Sequence, residues 1–568
     1  MNLIRSYIKI ILQIFFFISI FNTINAKNSD KFYEADKISN YFSGTLSFYD
    51  NDYARSYRYF NKLDGLGNNH YRYSKLYQYS LINLERVKEA FDYSIRLESL
   101  GLNSFESNLI IGVYYLKNKK FNKAEEYFKK LTILGKDRTI TGFLSATLNN
   151  WVLFSKKNQN EALKLINDLN PRFENIKKIQ LILAHCFFSS NNTSVKFKEL
   201  TSNEKTDFSR YNFFHVNYLS QQGKKKQAIE ILNNSLKKSP QNLILNQLKV
   251  DLKNENYEDF SNQFNCSEAP DILAEIFYIT ANLLSSQNLY SASNFYLNLA
   301  KYLNPKFTSF ETLYAENYYM IKNYKKSKKI YNKIGKNGYI YKWFSSKQIA
   351  KILIKQDRKE EAINLISKNF KQLDQPDVFQ IYDYADFLKN NEMFEKSVLY
   401  FTKILDSIDK NHSLFAKTSD NRGVAYERLS KWQSAEKDLL NSLSVKPNDA
   451  YVINYLAYSW VEKGINIEKS LGMLRKANKL KKNDGYIIDS LGWALFKLKK
   501  YEESEKYLEQ AVRIMPSDPV VNDHYGDVLW KNSKFLQARY FWNYVANLKD
   551  AENEIKKNVK KKITFGIN

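Results

Sequence analysis

GYIIDSLGWALFKLKKYEESEKYLEQAVRIMPSD, residues 485–518, runs directly into PVVNDHYGDVLWKNSKFLQARYFWNYVANLKD, residues 519–550. Laid one under the other, Gly492 falls on Gly526, Tyr501 on Phe535, Ser504 on Ala538 and Leu508 on Trp542, each by the same step of about 34 residues. A constant period of that size marks a repeat architecture. Inside each unit the apolar positions recur twice at helical spacing, with a break between. The spacing predicts a first helix over roughly 486–498 and a second over roughly 501–513. Pro516 cannot continue the second helix, whereas Asp518 suits the cap of the next one and Pro519 its first turn.

The same register extends upstream. Gly423, Ala457, Gly492 and Gly526 follow one another at nearly the same step, the middle one being a single position longer. The first of these units adds Trp432, Ala435 and Pro447. Near the N-terminus, Gly44 with Tyr53, Ser56 and Phe60, and Gly112 with Phe121, Ala124 and Phe128, repeat the pattern. It fails over 189–209, which is polar, and over 241–268, where only NLILNQLKVDLK reads as helix. The chain therefore divides into degenerate repeats over 27–268, regular repeats over 269–550 and a basic tail over 551–568. About a dozen units are expected. The tail has the composition of a polar helix capping the last repeat, with contact to an anionic membrane as the sharper alternative.

The order Leu491-Gly492, Leu495, Tyr501, Ser504, Leu508, Ala511, Pro516 resembles the tetratricopeptide repeat. The resemblance implies an all-α chain, a right-handed superhelix of helix-turn-helix repeats. It makes Gly492 and Ser504, then Gly526 and Ala538, the small residues that let two helices cross closely, with Tyr501 or Phe535 packed at the turn. It also implies a concave groove lined by the first helices, which binds partners. The inward positions are then Asn454, Tyr458 and Val461; Asp489, Trp493 and Phe496; Asp523, Asp527 and Trp530. The family's peptide-carboxylate clamp needs basic or amide groups where Asp489 and Asp523 stand, so this chain departs from it. What remains is an aromatic and acidic groove: Trp493, Phe496 and Trp530 offer flat apolar area, and the three aspartates accept from Lys, Arg or hydroxyl groups. Packing between repeats is the plainer role for the tryptophans, a first-turn dipole contact that for Asp523, and a packed, hydrogen-bonded place that for His524.

A chain of 568 residues exceeds one compact core, a limit that stacked repeats escape because each leans only on its neighbours. With 44% hydrophobic and 26% charged residues it is globular in composition. The net charge of +26 is spread over helix faces, since no Lys/Arg block dominates before the tail. Residues 1–26 read as an export signal: Arg5 and Lys9, the apolar run Ile10–Phe21, then Ala26. Export places the repeats in the periplasm or envelope of a bacterium, with an uncleaved anchor as the alternative. Cys186 and Cys266 lie more than two repeats apart; at ~10 Å per stacked unit they should stand too far apart to bridge.

No HExxH, CxxC, phosphate loop or GxSxG element is present, so no enzyme, metal or cofactor is called for. Three functions remain in view. One is a non-catalytic scaffold of the cell envelope that binds proteins or peptides. A second is handling of envelope glycan or anionic lipid. The third is RNA binding, against which the export signal and the groove acids both argue.

Overall fold

In the computed structural model, residues 35–567 are described except 64, 69, 135–138, 157–158, 204–205 and 255–261. The proposed export signal over 1–26 lies outside the described residues. Those residues form 30 α-helices and no strand, the α-solenoid that the repeat period implies. Setting aside Leu243–Lys253 and the terminal helix Asn553–Phe565, the other helices make fourteen hairpins, against about a dozen expected. Most of these hairpins turn in the same way. A non-glycine residue takes positive φ at the turn, as at Asn51, Glu85 and Lys119, and again at Lys499 and Ser533, one repeat period apart within each set. That left-handed residue ends the first helix and lets its backbone N–H satisfy an orphaned carbonyl.

Close crossing explains the small residues. A Cβ on Gly492 would lie 2.7 Å from Leu508 Cγ and 3.2 Å from the Leu508 backbone nitrogen. Ser504 answers from the second helix, its hydroxyl donating to the Gly492 carbonyl at 2.7 Å. On Gly526 a Cβ would collide with the Trp542 indole. Ala435 and Ala538 are fully buried at the equivalent crossings.

Two compact units divide the chain, residues 1–348 and 349–568, so the cut falls within the stretch 269–550. In the first unit the repeats curl round helix Tyr290–Leu303. Tyr53 hydroxyl meets Ser291 Oγ at 3.1 Å, Asn298 donates to Asn83 at 3.2 Å, and Lys301 pairs with Glu85 at 2.7 Å. These partners are far apart in the chain, at sequence separations of 238, 215 and 216. Phe295 stacks on Tyr79 with centroids 4.2 Å apart. Lys117 donates to the Leu303 carbonyl at 2.6 Å, so the first helices Tyr71–Asn83 and Phe105–Lys117 carry a segment of their own chain.

The cysteines correct the expectation from straight stacking. Cys186 and Cys266 form a disulfide, with Cα atoms 5.8 Å apart. An advance of ~10 Å per unit holds only for an open array. Here the weakly patterned stretches become short helices, Thr193–Thr201 and Leu243–Lys253, and the chain folds back between them. Cys186 is buried, as a core residue would be, but as half of a bridge.

Candidate functional site

Five first helices follow one another in the second unit: Val378–Asn390, Phe415–Arg428, Ala450–Glu462, Gly485–Lys497 and Pro519–Lys531. Four begin at an aspartate. Asp377, Asp449, Asp484 and Asp518 each accept a backbone N–H from the first turn through the side chain, which fixes where the helix starts. With the start set and the small residue turned toward its partner helix, the remaining face of each first helix meets the next first helix.

Along that face runs a ladder of cross-links. Lys389 donates to Asn421 Oδ1, and Asn421 Nδ2 donates to the Tyr382 hydroxyl at 2.7 Å. Tyr455 hydroxyl donates to Glu427 at 3.0 Å. Trp493 Nε1 donates to Glu462. His524 Nδ1 sits 3.0 Å from both carboxylate oxygens of Asp489. Finally, Lys562 of the terminal helix donates to Asp523 at 2.7 Å and to Asp527 at 2.8 Å.

Two clusters result. In the first, Trp493 stacks on His524 at 3.9 Å and on Phe496 at 4.7 Å, with the Tyr458 ring 6.5 Å from His524. Burial opposes a charge on His524, but Asp489, with Asp523 and Asp527 behind it, outweighs burial and raises its pKa. In the second, Asp527 also accepts from Trp542 Nε1 at 3.0 Å. Burial, with Asp523 beside it, pushes Asp527 up to about 6 against the pull of Lys562. Trp530 packs on Phe535 at 4.6 Å and carries the Arg539 guanidinium 5.0 Å from its ring centre.

Tetratricopeptide-repeat family profiles match residues 487–518 and, separately, residues 105–132, one in each compact unit. Those two segments are tetratricopeptide repeats. A TPR repeat-containing protein of Pseudomonas aeruginosa is 29% identical over 178 residues, which is 31% of this chain. The match covers 29% of that relative's length. Among solved structures, the APC/C hetero-tetramer Cut9–Hcn1 contains a chain 12% identical, with 94% of this chain and 97% of that one covered and a TM-score of 0.37. YrrB, described as a TPR protein with an unusual peptide-binding site, is 14% identical over 34% of this chain and 97% of its own, with a TM-score of 0.27.

The sequence-derived groove positions separate by environment. Asp489, Trp493 and Asp527 are buried, at 5%, 7% and 5% exposure, while Asn454, Tyr458, Phe496, Asp523 and Trp530 are half-buried. Asn454 joins neither cluster, and its buried Oδ1 has no hydrogen-bond partner among the described residues. Two members went unread. Glu462 follows from nothing in the repeat pattern. Lys562 is one of five lysines in the tail, and only its place one helical turn beyond the buried Val559 marks it as inward-facing.

Asp420 lies half-buried on the first helix Phe415–Arg428. Burial pushes it up to about 6, with Lys389 and Lys417 opposing and Asp449 reinforcing. Its folded pKa stands above the ordinary 3.8, so the folded state holds the proton more tightly. The stability this lends is full below pH ~4 and lost as pH rises to ~6. Asp420→Asn is therefore expected to stabilise the second unit by about 1–3 kcal/mol at pH 7 and by nothing at pH 4. Denaturant melts at the two pH values check this, and an equal shift at both would contradict it.

Proposed function

We propose that this TPR protein is a non-catalytic scaffold of the cell envelope that gathers protein partners along the inner face of residues 378–531. The observation that supports this most is the distribution of occupied surface. In the first unit, helix Tyr290–Leu303 covers the first helices Tyr71–Asn83 and Phe105–Lys117. In the second unit the first helices keep Tyr451 and Tyr486 at 57% and 61% exposure, on the same two helices as the half-buried Tyr458 and Phe496. Aromatic rings of that kind anchor peptide segments at low entropic cost. Trp493 already stacks on two rings and is almost covered, which leaves little of its face for a sugar and favours the protein reading over the glycan one.

Export is supported by two independent features. One is the N-terminal pattern of basic residues, apolar run and Ala26. The other is the Cys186–Cys266 disulfide, since such bonds persist in oxidising compartments and are rare in the bacterial cytosol.

A single preparation tests both parts. The full chain is captured from native envelope extracts alkylated at lysis, alongside its Tyr458→Ala and Tyr486→Ala variants with unchanged far-ultraviolet spectra. The expected result is a defined partner set that falls by about tenfold in the variants, and cysteines that resist alkylation until reduced. Partners retained equally by all three proteins would remove the inner face as the binding surface. Free thiols at both cysteines would remove the exported location.

A further inference from the structure

The cation on Asp523 and Asp527 comes from the chain's own last helix. Lys562 Nζ bridges the two carboxylates at 2.7 and 2.8 Å, and its side chain is 19% exposed. Two carboxylates this close, one of them nearly buried, require a positive partner, and a charge-assisted pair of bonds is the strongest kind available to them. The helix that brings the lysine is otherwise lightly held. Val559 is its only buried residue, whereas the preceding helix Phe535–Asn547 buries Ala538, Trp542 and Val545. Its other anchors are the half-buried Ile555, Ile563 and Ile567, Arg539 Nε donating to the Ile563 carbonyl at 3.0 Å, Lys556 Nζ donating to the Lys549 carbonyl at 3.2 Å and the passage of Gly566 across the Trp530 indole. Gly566 has φ +70, and a Cβ there would collide with Trp530. Phe565 stands 82% exposed, and Lys557, Lys560 and Lys561 point to solvent. An element with so little apolar burial opens at a lower free energy than the repeats it covers.

Resting on the reading of the inner face as a binding surface, we propose that helix Asn553–Phe565 is a displaceable plug on the last step of that face, and that its competitor is a basic peptide helix whose lysine or arginine replaces Lys562 between Asp523 and Asp527. Withdrawal of the plug uncovers two adjacent carboxylates and the Trp530 ring together. That combination takes an alkylammonium or guanidinium by hydrogen bonds and by cation–π attraction, the latter already made there by Arg539. An acidic segment would meet like charge. The occupant is helical because the surface it leaves is shaped by a helix.

The test uses the full chain and a labelled synthetic peptide with the sequence of residues 552–567. Native-state hydrogen exchange of the unmodified protein is expected to show helix Asn553–Phe565 opening far more readily than Gly485–Lys497, and the peptide is expected to raise exchange in the chain's own terminal helix. Lys562→Ala in the protein is expected to tighten peptide binding by about tenfold, and Lys→Glu at the matching position of the peptide to weaken it by at least as much. Equal exchange in the two helices overturns the plug, as does equal affinity of the peptide for both proteins. Dimers that form with concentration and need Lys562 would overturn the peptide partner in favour of a second copy's helix. Envelope partners lost with Tyr458→Ala but indifferent to Lys562→Ala would remove the plug and leave the inner-face reading standing.

Discussion

Replacing Arg210 by methionine is expected to cost the first unit about 3–5 kcal/mol, because it strands Glu275 as a buried charge. Glu275 has a fully buried side chain, and Arg210 meets it with two bonds of 2.8 Å, one from Nε and one from Nη2. The guanidinium also donates to Ser309 at 2.5 Å and lies 4.1 Å from the Tyr278 ring centre. It therefore ties helix Ala269–Ser286 to the segment before Tyr211–Gln221 and to the start of Ser309–Met320. Removing one partner leaves a desolvated carboxylate, whereas removing both leaves an apolar site. The double variant Arg210→Met, Glu275→Met should accordingly recover most of the loss. Native-state hydrogen exchange in Ala269–Ser286 measures both. A single variant that loses less than about 1 kcal/mol would show that water reaches Glu275.

The second large effect concerns the bridge. Cys186→Ser is expected to cost about 4 kcal/mol, since the bond closes a loop with a sequence separation of 80 residues and so restricts the unfolded chain strongly. The loss should appear in Glu174–Phe187 and Ala269–Ser286, the helices flanking the bond, and leave Gly485–Lys497 unchanged. Reduction of the unsubstituted protein should reproduce it. A uniform loss across both units would mean that the bridge acts by another route than closing that loop.

Both effects sit in or beside the stretches where the repeat pattern is weakest. Over 189–209 and 241–268 the periodic residues are missing, and a reading by period passes over the region as a gap. The bridge and the Arg210–Glu275 pair hold that region in shape, and neither has a counterpart one repeat period away. The candidate site shows the same division. Trp493, Phe496 and Tyr458 could be placed on one face because they share a register. Trp493 takes Glu462 and His524 from the first helices on either side of its own, Asp523 and Asp527 take Lys562, and the choice of Lys562 among five tail lysines is made by the crossing of Asn553–Phe565 over Pro519–Lys531. The side chains read as open acceptors, Asp489, Asp523 and Asp527, are engaged for that reason.

From the amino-acid order alone came what a residue owes to its own helix hairpin. The helix pairs and the small residues Gly492 and Gly526 at their crossings recur with the period, because the forces that select them act over a few ångströms along the chain. The tertiary structure alone decided the wrapping of the early repeats round Tyr290–Leu303, the joining of Cys186 to Cys266 and the seating of Lys562. The first two depend on small rotations accumulated over many repeats and the third on how a non-repeat helix crosses the last one, and neither leaves a periodic trace in the residues that finally meet.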